Sequence, residues 1–172
     1  DQNTFWLCEK PDSVGMVGWD AALTRIATWA KLQDKKTGQI LMVVNTHFDH
    51  IGTEARRNSA LLIIEKIKEI VGTSPAILTG DFNVSEDWDA YKTITNNEFI
   101  LKDAHKVAGK RTGVDFTYHN FGKIPAEKCE KIDFIFVTPQ IRVISSYIPF
   151  SQLNDTLFLS DHNPEIVELE IK

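Results

Sequence analysis

One strand–helix–strand segment constrains the fold more than any other part of the sequence. An uninterrupted apolar run at 40–44 precedes an amphipathic stretch at 54–71, and a second short apolar run follows at 76–79. Apolar residues of the middle stretch recur at close to helical spacing opposite charged residues, which predicts a helix packed on a core. Continuously apolar strands are typical of a sheet covered on both faces. The segment therefore predicts an α/β unit, with a site where polar residues follow the strands at their carboxyl edge.

Cap and stop signals set the ends of the predicted helices. Thr53 is a candidate N-cap for the helix at 54–71, and Gly72 is a stop signal behind it. Asp87 is expected to cap a second helix at 88–96.

Further strands are predicted on both sides of this unit. They are expected at 4–8, 22–33, 114–119, 131–137 and 142–148, and a partly alternating strand is expected at 165–171. The strand at 142–148 is predicted to be the hairpin partner of the strand at 131–137.

Composition narrows the class of protein. The chain has 172 residues, of which 42% are hydrophobic and 25% charged, as expected for one globular domain. No apolar run approaches the roughly 20 residues that a membrane helix needs. The net charge of -5 lacks the basic excess of a dedicated nucleic-acid binder, so a nucleic-acid substrate would need a local basic patch. The two cysteines match no zinc spacing and no disulfide framework.

An acidic residue inside an apolar strand is the strongest single sign of a functional site. Asp133 interrupts the run at 131–137, and a buried carboxylate is costly unless it is paired. A histidine is a suitable partner, and His162 lies next to Asp161 in a loop before the last strand. Asp133 would accept from one ring nitrogen of His162, fix its tautomer and leave the other nitrogen basic.

Other polar residues at strand ends suit phosphoryl transfer to water. Mg²⁺ prefers oxygen ligands, and a positioned histidine can take the proton of an attacking water. Asp81 would orient that water, Asn83 would donate to a phosphate oxygen, and a protonated His47 would stabilise the developing charge. Each residue also has an ordinary structural interpretation, because Asp and Asn bond their own backbone in turns.

Four motifs, in this order, resemble the endonuclease/exonuclease/phosphatase superfamily, and the segments at 18–22 and 25–30 resemble its bacterial members. The four motifs are Asn-Thr-His at 45–47, Gly-Asp-Phe-Asn at 80–83, Ile-Asp-Phe-Ile-Phe-Val at 132–137 and Ser-Asp-His-Asn-Pro at 160–164. This superfamily includes pancreatic-type DNases, abasic-site endonucleases, poly(A) deadenylases, sphingomyelinases and inositol polyphosphate phosphatases. The resemblance implies an α/β fold with two mixed β-sheets packed as a sandwich and flanked by helices.

The resemblance also implies the catalytic residues. Asp81 and Asn83 match the family's Asp-x-Asn pair, His162 is its general base, Asp133 orients that base, and His47 contacts phosphate.

Metal and substrate residues follow from the same resemblance. Asp161 and Asp81 would be metal-site acids for Mg²⁺, with Mn²⁺ as an alternative. Arg25 and His119 match positions that approach substrate. Arg56 also matches an arginine of bacterial members, with a surface role as the alternative.

Two segments of the family pattern have no match in this sequence. One is an N-terminal strand with an asparagine, and the other carries the glutamate that is the principal metal ligand. Residues 1–172 are therefore expected to be the C-terminal two-thirds of a single domain of this family.

The predicted function is Mg²⁺-dependent phosphoester hydrolysis by attack of water on phosphorus. The substrate is either a small phosphodiester or phosphomonoester or a nucleic acid, because one fold serves many phosphoesters. The alternative is a phosphate-ligand binding module or pseudo-enzyme without turnover. No protein partner can be deduced from the sequence.

Overall fold

A mixed six-stranded sheet is the largest sheet of the computed structural model, which describes residues 1–97, 101–154 and 157–171. Its strands, in chain order, are β1 (Gln2–Trp6), β2 (Ile26–Gln33), β3 (Ile40–His47), β4 (Ala76–Asp81), β5 (Lys102–Asp103) and β7 (Asp133–Val137). The intervening strand β6 (Lys110–Gly113) belongs to a second sheet. The six strands lie in the order β1-β2-β3-β4-β7-β5. β3 and β4 are parallel, and the other neighbours are antiparallel.

A second, smaller sheet packs against the first. It contains β6 (Lys110–Gly113), β8 (Ile141–Ile148) and β11 (Ile166–Ile171), with β8 in the middle. β6 is parallel to β8, whereas β11 is antiparallel to it. Between β8 and β11, β9 (Gln152–Asn154) and β10 (Leu157–Phe158) form a two-stranded hairpin. The predicted sandwich of two mixed sheets with flanking helices is thus confirmed.

Helices cover the outer face of the larger sheet. They are α1 (Thr53–Val71) and α2 (Asp89–Thr95). The short α3 (Ala104–Val107) packs instead against β7 and β8, where Ala104 joins the apolar side chains between the two sheets. A 3₁₀ turn spans Ala126–Lys128. No helix in the described ranges is both long and apolar enough to cross a membrane.

Two apolar layers hold the sandwich together, one on each face of the larger sheet. Between this sheet and the helices lie Ala60, Ile63, Ile64, Ile67, Met42, Val44, Leu78, Phe82, Phe134 and Phe136. Between the two sheets lie Leu41, Ile77, Ile135, Val137, Ile141, Val143, Val167 and Leu169. Alternate residues of each central strand therefore enter different layers, which explains the continuously apolar runs in the sequence.

Two strand predictions were wrong, one about the pairing of β8 and one about the position of a strand. β8 does not form a hairpin with β7, because the chain leaves the larger sheet after Val137 and β8 pairs with β6 and β11. The strand predicted at 114–119 is a loop in the structure, apart from isolated bridges at Tyr118. The strand of this region is β6, which ends at Gly113 with φ 93°, a value that favours glycine.

Both helix N-caps differ from the prediction. The N-cap position of α1 is Gly52, and the backbone N–H groups of Glu54 and Ala55 donate to the distant carboxylate of Asp20. This remote carboxylate replaces the cap predicted at Thr53. Trp88, rather than Asp87, precedes α2 and makes no side-chain cap bond. Gly72 ends α1 with φ 59°, as its stop signal predicts.

Asp49 fixes the loop that leads from β3 into α1. Its side chain is 1% exposed and accepts from the backbone N–H groups of Ala22, Leu23, Ile51 and Gly52 at 2.8–3.1 Å. Burial raises the pKa of this carboxyl, but the four hydrogen bonds outweigh burial and hold the pKa well below its usual range. Asp49 therefore has a structural role in this loop.

We predict that Asp49→Asn lowers the free energy of unfolding by about 3–5 kcal/mol, because it removes the buried charge that four donors and Arg25 face. Urea unfolding followed by circular dichroism measures this. Asp12→Asn, which changes an exposed acid, is the matched control and should alter stability by less than about 0.5 kcal/mol. Equal effects of the two substitutions would contradict the assigned role of Asp49.

Candidate active site

Three functional side chains lie side by side at one edge of the larger sheet. His47 is the last residue of β3 and pairs in register with Asp81, the last residue of β4. Asp81 pairs in turn with Asp133, the first residue of the antiparallel β7. Residues directly opposite each other on neighbouring strands have their side chains within reach. Strand register therefore places one imidazole and two carboxylates in a row.

His162 reaches this row from the segment between β10 and β11. Its Nδ1 lies 2.7 Å from Oδ2 of Asp133. Its backbone N–H donates to Oγ of Ser160 at 3.1 Å, and its ring lies 5.0 Å from the ring of Tyr118. The pairing predicted from the sequence between His162 and Asp133 is present in the structure.

The bond to Asp133 sets the chemistry of His162. A carboxylate can only accept, so Nδ1 carries the proton and Nε2 is the basic nitrogen. Nε2 points toward the row and lies 4.0 Å from Oδ2 of Asp81. The hydrogen bond that His162 donates to Asp133 raises the pKa of His162 by more than burial lowers it. An imidazole oriented in this way could accept a proton through Nε2.

Asp81 and His47 are 3.3 Å apart, between Oδ2 and Nε2, but the surroundings of each shift its pKa in the direction that disfavours its charged form. Burial and the neighbouring charge of Asp133 raise the pKa of Asp81 despite the hydrogen bond from the Asn83 backbone. Burial lowers the pKa of His47, and Asp81 offsets this only in part. Since 55% of the His47 side chain is exposed, solvent weakens the effect on that residue. The protonated His47 expected from the sequence is therefore not favoured by its surroundings.

Asn83 holds the loop that follows β4. It adopts φ 51°, in the left-handed region that Asn tolerates better than most residues. Its backbone N–H donates to Oδ1 of Asp81 at 2.9 Å, and its Nδ2 donates to the carbonyl of Phe48 at 3.0 Å. Nδ2 has a second hydrogen, which remains for a ligand. Asn83 thus fixes the carboxylate of Asp81 and still presents an amide donor.

Asp81, Asp133 and His162 form a group that could hold a metal ion, because one ligand atom from each lies within 4.8 Å of the others. Two carboxylates suit a hard cation such as Mg²⁺, which would also relieve the repulsion between them. Asp161, a predicted metal-site acid, lies outside this group. Its backbone carbonyl accepts from the loop that contains His119, and its Oδ1 accepts from Ser160 at 3.3 Å.

The two arginines considered for substrate binding have different positions. Arg25 is close enough to His47 to lower its pKa, and its Nη2 lies 3.2 Å from Nδ1 of His50. Arg56 is 5% exposed, so the surface role considered for it is wrong. Its Nη1 donates to the carbonyl of Asp49 at 3.0 Å.

His119, which the sequence placed among the substrate-binding residues, is a buried side chain in the structure. It is 1% exposed, and its ring packs against those of Phe116, Phe150 and Phe158. Its Nδ1 accepts from the backbone N–H of Gly122 at 3.1 Å. Burial lowers its pKa, so it is a neutral packing residue behind the site.

Thr117 is a positioning residue, a role that the sequence did not indicate. Its side chain is buried, and its Oγ1 accepts from the backbone N–H groups of Ile132 and Asp133 at 3.0 and 3.1 Å. Its carbonyl accepts from Asn163, next to His162, at 2.7 Å. Thr117 therefore ties together the two segments that carry the His–Asp pair. One threonine in a polar loop gives no local signal of such a role.

The fold and the site define a class of protein: an α/β sandwich with an oriented His–Asp base beside a second carboxylate at a sheet edge. The chain belongs to the endonuclease/exonuclease/phosphatase family, whose model matches residues 7–162.

Three similar proteins place the chain within this family. An endonuclease/exonuclease/phosphatase from Bacteroides vulgatus is 65% identical, with a TM-score of 0.95, over 100% of this chain and 65% of that one. The mannosyl-6-phosphatase of Bacteroides thetaiotaomicron is 36% identical, with a TM-score of 0.90, over 99% and 66%. An uncharacterised protein of Acanthamoeba polyphaga mimivirus is 30% identical over 96% and 63%. The chain spans less than two thirds of the length of each.

We predict that Thr117→Val destabilises the protein by about 1–3 kcal/mol for each of the two N–H donors it leaves without an acceptor. Because one donor belongs to Asp133, the ring ¹H and ¹⁵N resonances of His162 should also shift. Thermal unfolding and NMR measure the two effects. Thr117→Ser keeps the hydroxyl and should resemble the parent in both. A valine variant with unchanged stability would show that the hydroxyl does not hold β7.

Proposed function

We propose that this protein hydrolyses phosphoesters by attack of water on phosphorus, with His162 as the general base. The observation that carries the proposal is the 2.7 Å contact between Nδ1 of His162 and Asp133, which leaves Nε2 basic beside Asp81. Membership of the endonuclease/exonuclease/phosphatase family supports this class of reaction. A base positioned in this way contributes about 10²–10⁴-fold to a rate.

The residues around His162 supply orientation and charge. Asp81 accepts a hydrogen bond from the attacking water and aligns it toward phosphorus. His162 removes the proton of that water through Nε2 as the new P–O bond forms, and Asp133 stabilises the imidazolium that results. The bond between phosphorus and the ester oxygen breaks, and the leaving alkoxide takes a proton from solvent water. Asn83 donates through its remaining amide hydrogen to a phosphate oxygen. His47, at the exposed end of the row, contacts the phosphate as a hydrogen-bond donor when neutral. Arg25 adds positive charge close to it.

A divalent metal ion, Mg²⁺ or Mn²⁺, fits the acidic residues of the site. Asp81 would hold it, and Asp161 would join through intervening water because its carboxylate lies outside the nearest group. Asp133 keeps its bond to His162 and is less available. When bound, such an ion neutralises phosphate charge and lowers the pKa of a coordinated water.

A phosphomonoester on a sugar is the substrate class we favour. The similar protein of Bacteroides thetaiotaomicron is a mannosyl-6-phosphatase, and the identity of 36% extends over 99% of this chain. The net charge of -5 also disfavours a long polyanion. A nuclease would differ in that its binding weakens steeply with salt, because it releases counterions from many phosphates.

We predict that the protein cleaves p-nitrophenyl phosphate and mannose 6-phosphate with Mg²⁺, and that EDTA abolishes turnover. His162→Ala should lower kcat by about 10²–10⁴-fold, because the attacking water loses its base. Release of p-nitrophenol and of inorganic phosphate measures the two reactions. Cleavage of bis-p-nitrophenyl phosphate alone would move the assignment to a phosphodiesterase. Phosphate binding by calorimetry without turnover of any ester would replace the proposal by the binding-module alternative.

We also predict an acidic limb in the pH dependence of kcat/KM. The base must be neutral, and Asp133 raises the pKa of His162, so activity should fall as pH drops through that raised value. Asp133→Asn removes the charge that raises the pKa. The limb should then move to lower pH, toward the ordinary histidine value of about 6.5, while the maximal rate falls. Rate profiles of the two proteins measure this. A limb that stays in place in the variant would separate His162 from the titration.

A further inference from the structure

A buried ion pair lies immediately behind the catalytic His–Asp pair. Nζ of Lys131 is 2.9 Å from Oε2 of Glu165, and the two side chains are 6% and 2% exposed. Removing two charges from water costs much of what their attraction returns, so such pairs are a poor means of stabilisation. Their best supported use is to specify one arrangement of the elements that carry them. The location of this pair shows which arrangement that is.

The ion pair joins the same two segments as the His–Asp pair. Lys131 precedes Asp133 by two residues, and Glu165 follows His162 by three. The first segment enters β7 of the larger sheet, and the second enters β11 of the smaller one. Two contacts close together therefore fix how these segments lie across the sandwich.

Glu165 also forms part of the wall of the site. It lines a cavity of about 450 Å³ with His47 and Asp81, and a second cavity of about 480 Å³ with His162. Asp133 lines both cavities. Its neighbour Glu165 thus lies between the two open spaces that flank the His–Asp pair.

Each end of the ion pair is held in direction as well as in distance. Nζ of Lys131 donates to the backbone carbonyl of Asp133 at 2.9 Å and lies 3.9 Å from the ring centroid of Phe134. Oε1 of Glu165 accepts from Oγ of Ser146 at 3.1 Å, and that hydroxyl lies 2.8 Å from Nδ1 of His105. The chain of contacts runs from the backbone of Asp133 into the smaller sheet, so a shift of one sheet against the other would break it.

We propose that Lys131 and Glu165 are positioning residues that hold Asp133 and His162 at hydrogen-bonding distance across the two sheets. As far as it concerns turnover, this rests on the proposed hydrolytic function. The ion pair does not touch the reacting atoms. Its effect on catalysis is to fix the imidazole orientation that leaves Nε2 facing Asp81.

The test compares Glu165→Gln with the double variant Lys131→Met/Glu165→Gln in the intact protein. The single variant leaves a buried ammonium without its counterion, so its thermal midpoint should fall. The double variant removes that charge too, so its midpoint should recover. Its kcat on p-nitrophenyl phosphate should stay about 10–10²-fold below the parent with KM unchanged, because only the base is misplaced. Recovery of kcat together with stability would mean a merely structural role and would overturn the proposal.

NMR gives a second readout that does not depend on turnover. The ring ¹⁵N shifts of His162 report which nitrogen carries the proton, and the parent should show Nδ1–H. The double variant should show a mixture of tautomers. Glu170→Gln is the matched control, because it neutralises the exposed partner of Arg142 on the same sheet, and it should change neither readout. Identical His162 shifts in the double variant and the parent would overturn the proposal even if no ester is cleaved.

Discussion

The register of three strands is the constraint on which the site depends. His47, Asp81 and Asp133 are neighbours because β3, β4 and β7 pair at those residues, and no side-chain contact is needed to bring them together. A slip of one residue in β7 would turn Asp133 toward the helix layer and bring a neighbouring apolar residue to the site. The apolar residues that alternate along each strand oppose that slip, since they would exchange layers. Core packing thus specifies the position of Asp133.

Buried polar side chains then fix the segments that strands alone do not place. Asp49 satisfies four N–H groups of the chain between β3 and α1, and Thr117 satisfies two at the start of β7. Each buried donor without an acceptor would cost about 1–3 kcal/mol, so these contacts strongly favour one loop conformation. Asn83 acts in the same way on the loop after β4. The loops of the site thus have few other conformations that satisfy their backbone groups.

The sequence predicts those features of the fold and the site that depend on local residue patterns. The helix at α1, the paired strands beside it and the His162–Asp133 contact all follow from periodicity or from one acid in an apolar strand. Three features did not follow from the sequence: the helix cap at Asp20, the separation of β8 from β7 and the burial of His119. Each depends on residues far apart in the chain, such as Asp20 with Ala55. Buried polar partners such as Thr117 give no pattern until the fold brings them together.

The electrostatics of the site explain why its parts act together. Asp81 and Asp133 lie side by side, so burial and the charge of Asp133 raise the pKa of Asp81. Asp133 instead accepts a hydrogen bond from His162. Asp133 is thus occupied by its hydrogen bond to His162, and Asp81 remains available to water or a cation. A cation held by Asp81 would favour the ionised form of that carboxyl. The difference between these two acids comes from strand position: Asp133 faces the segment that carries His162, and Asp81 faces His47.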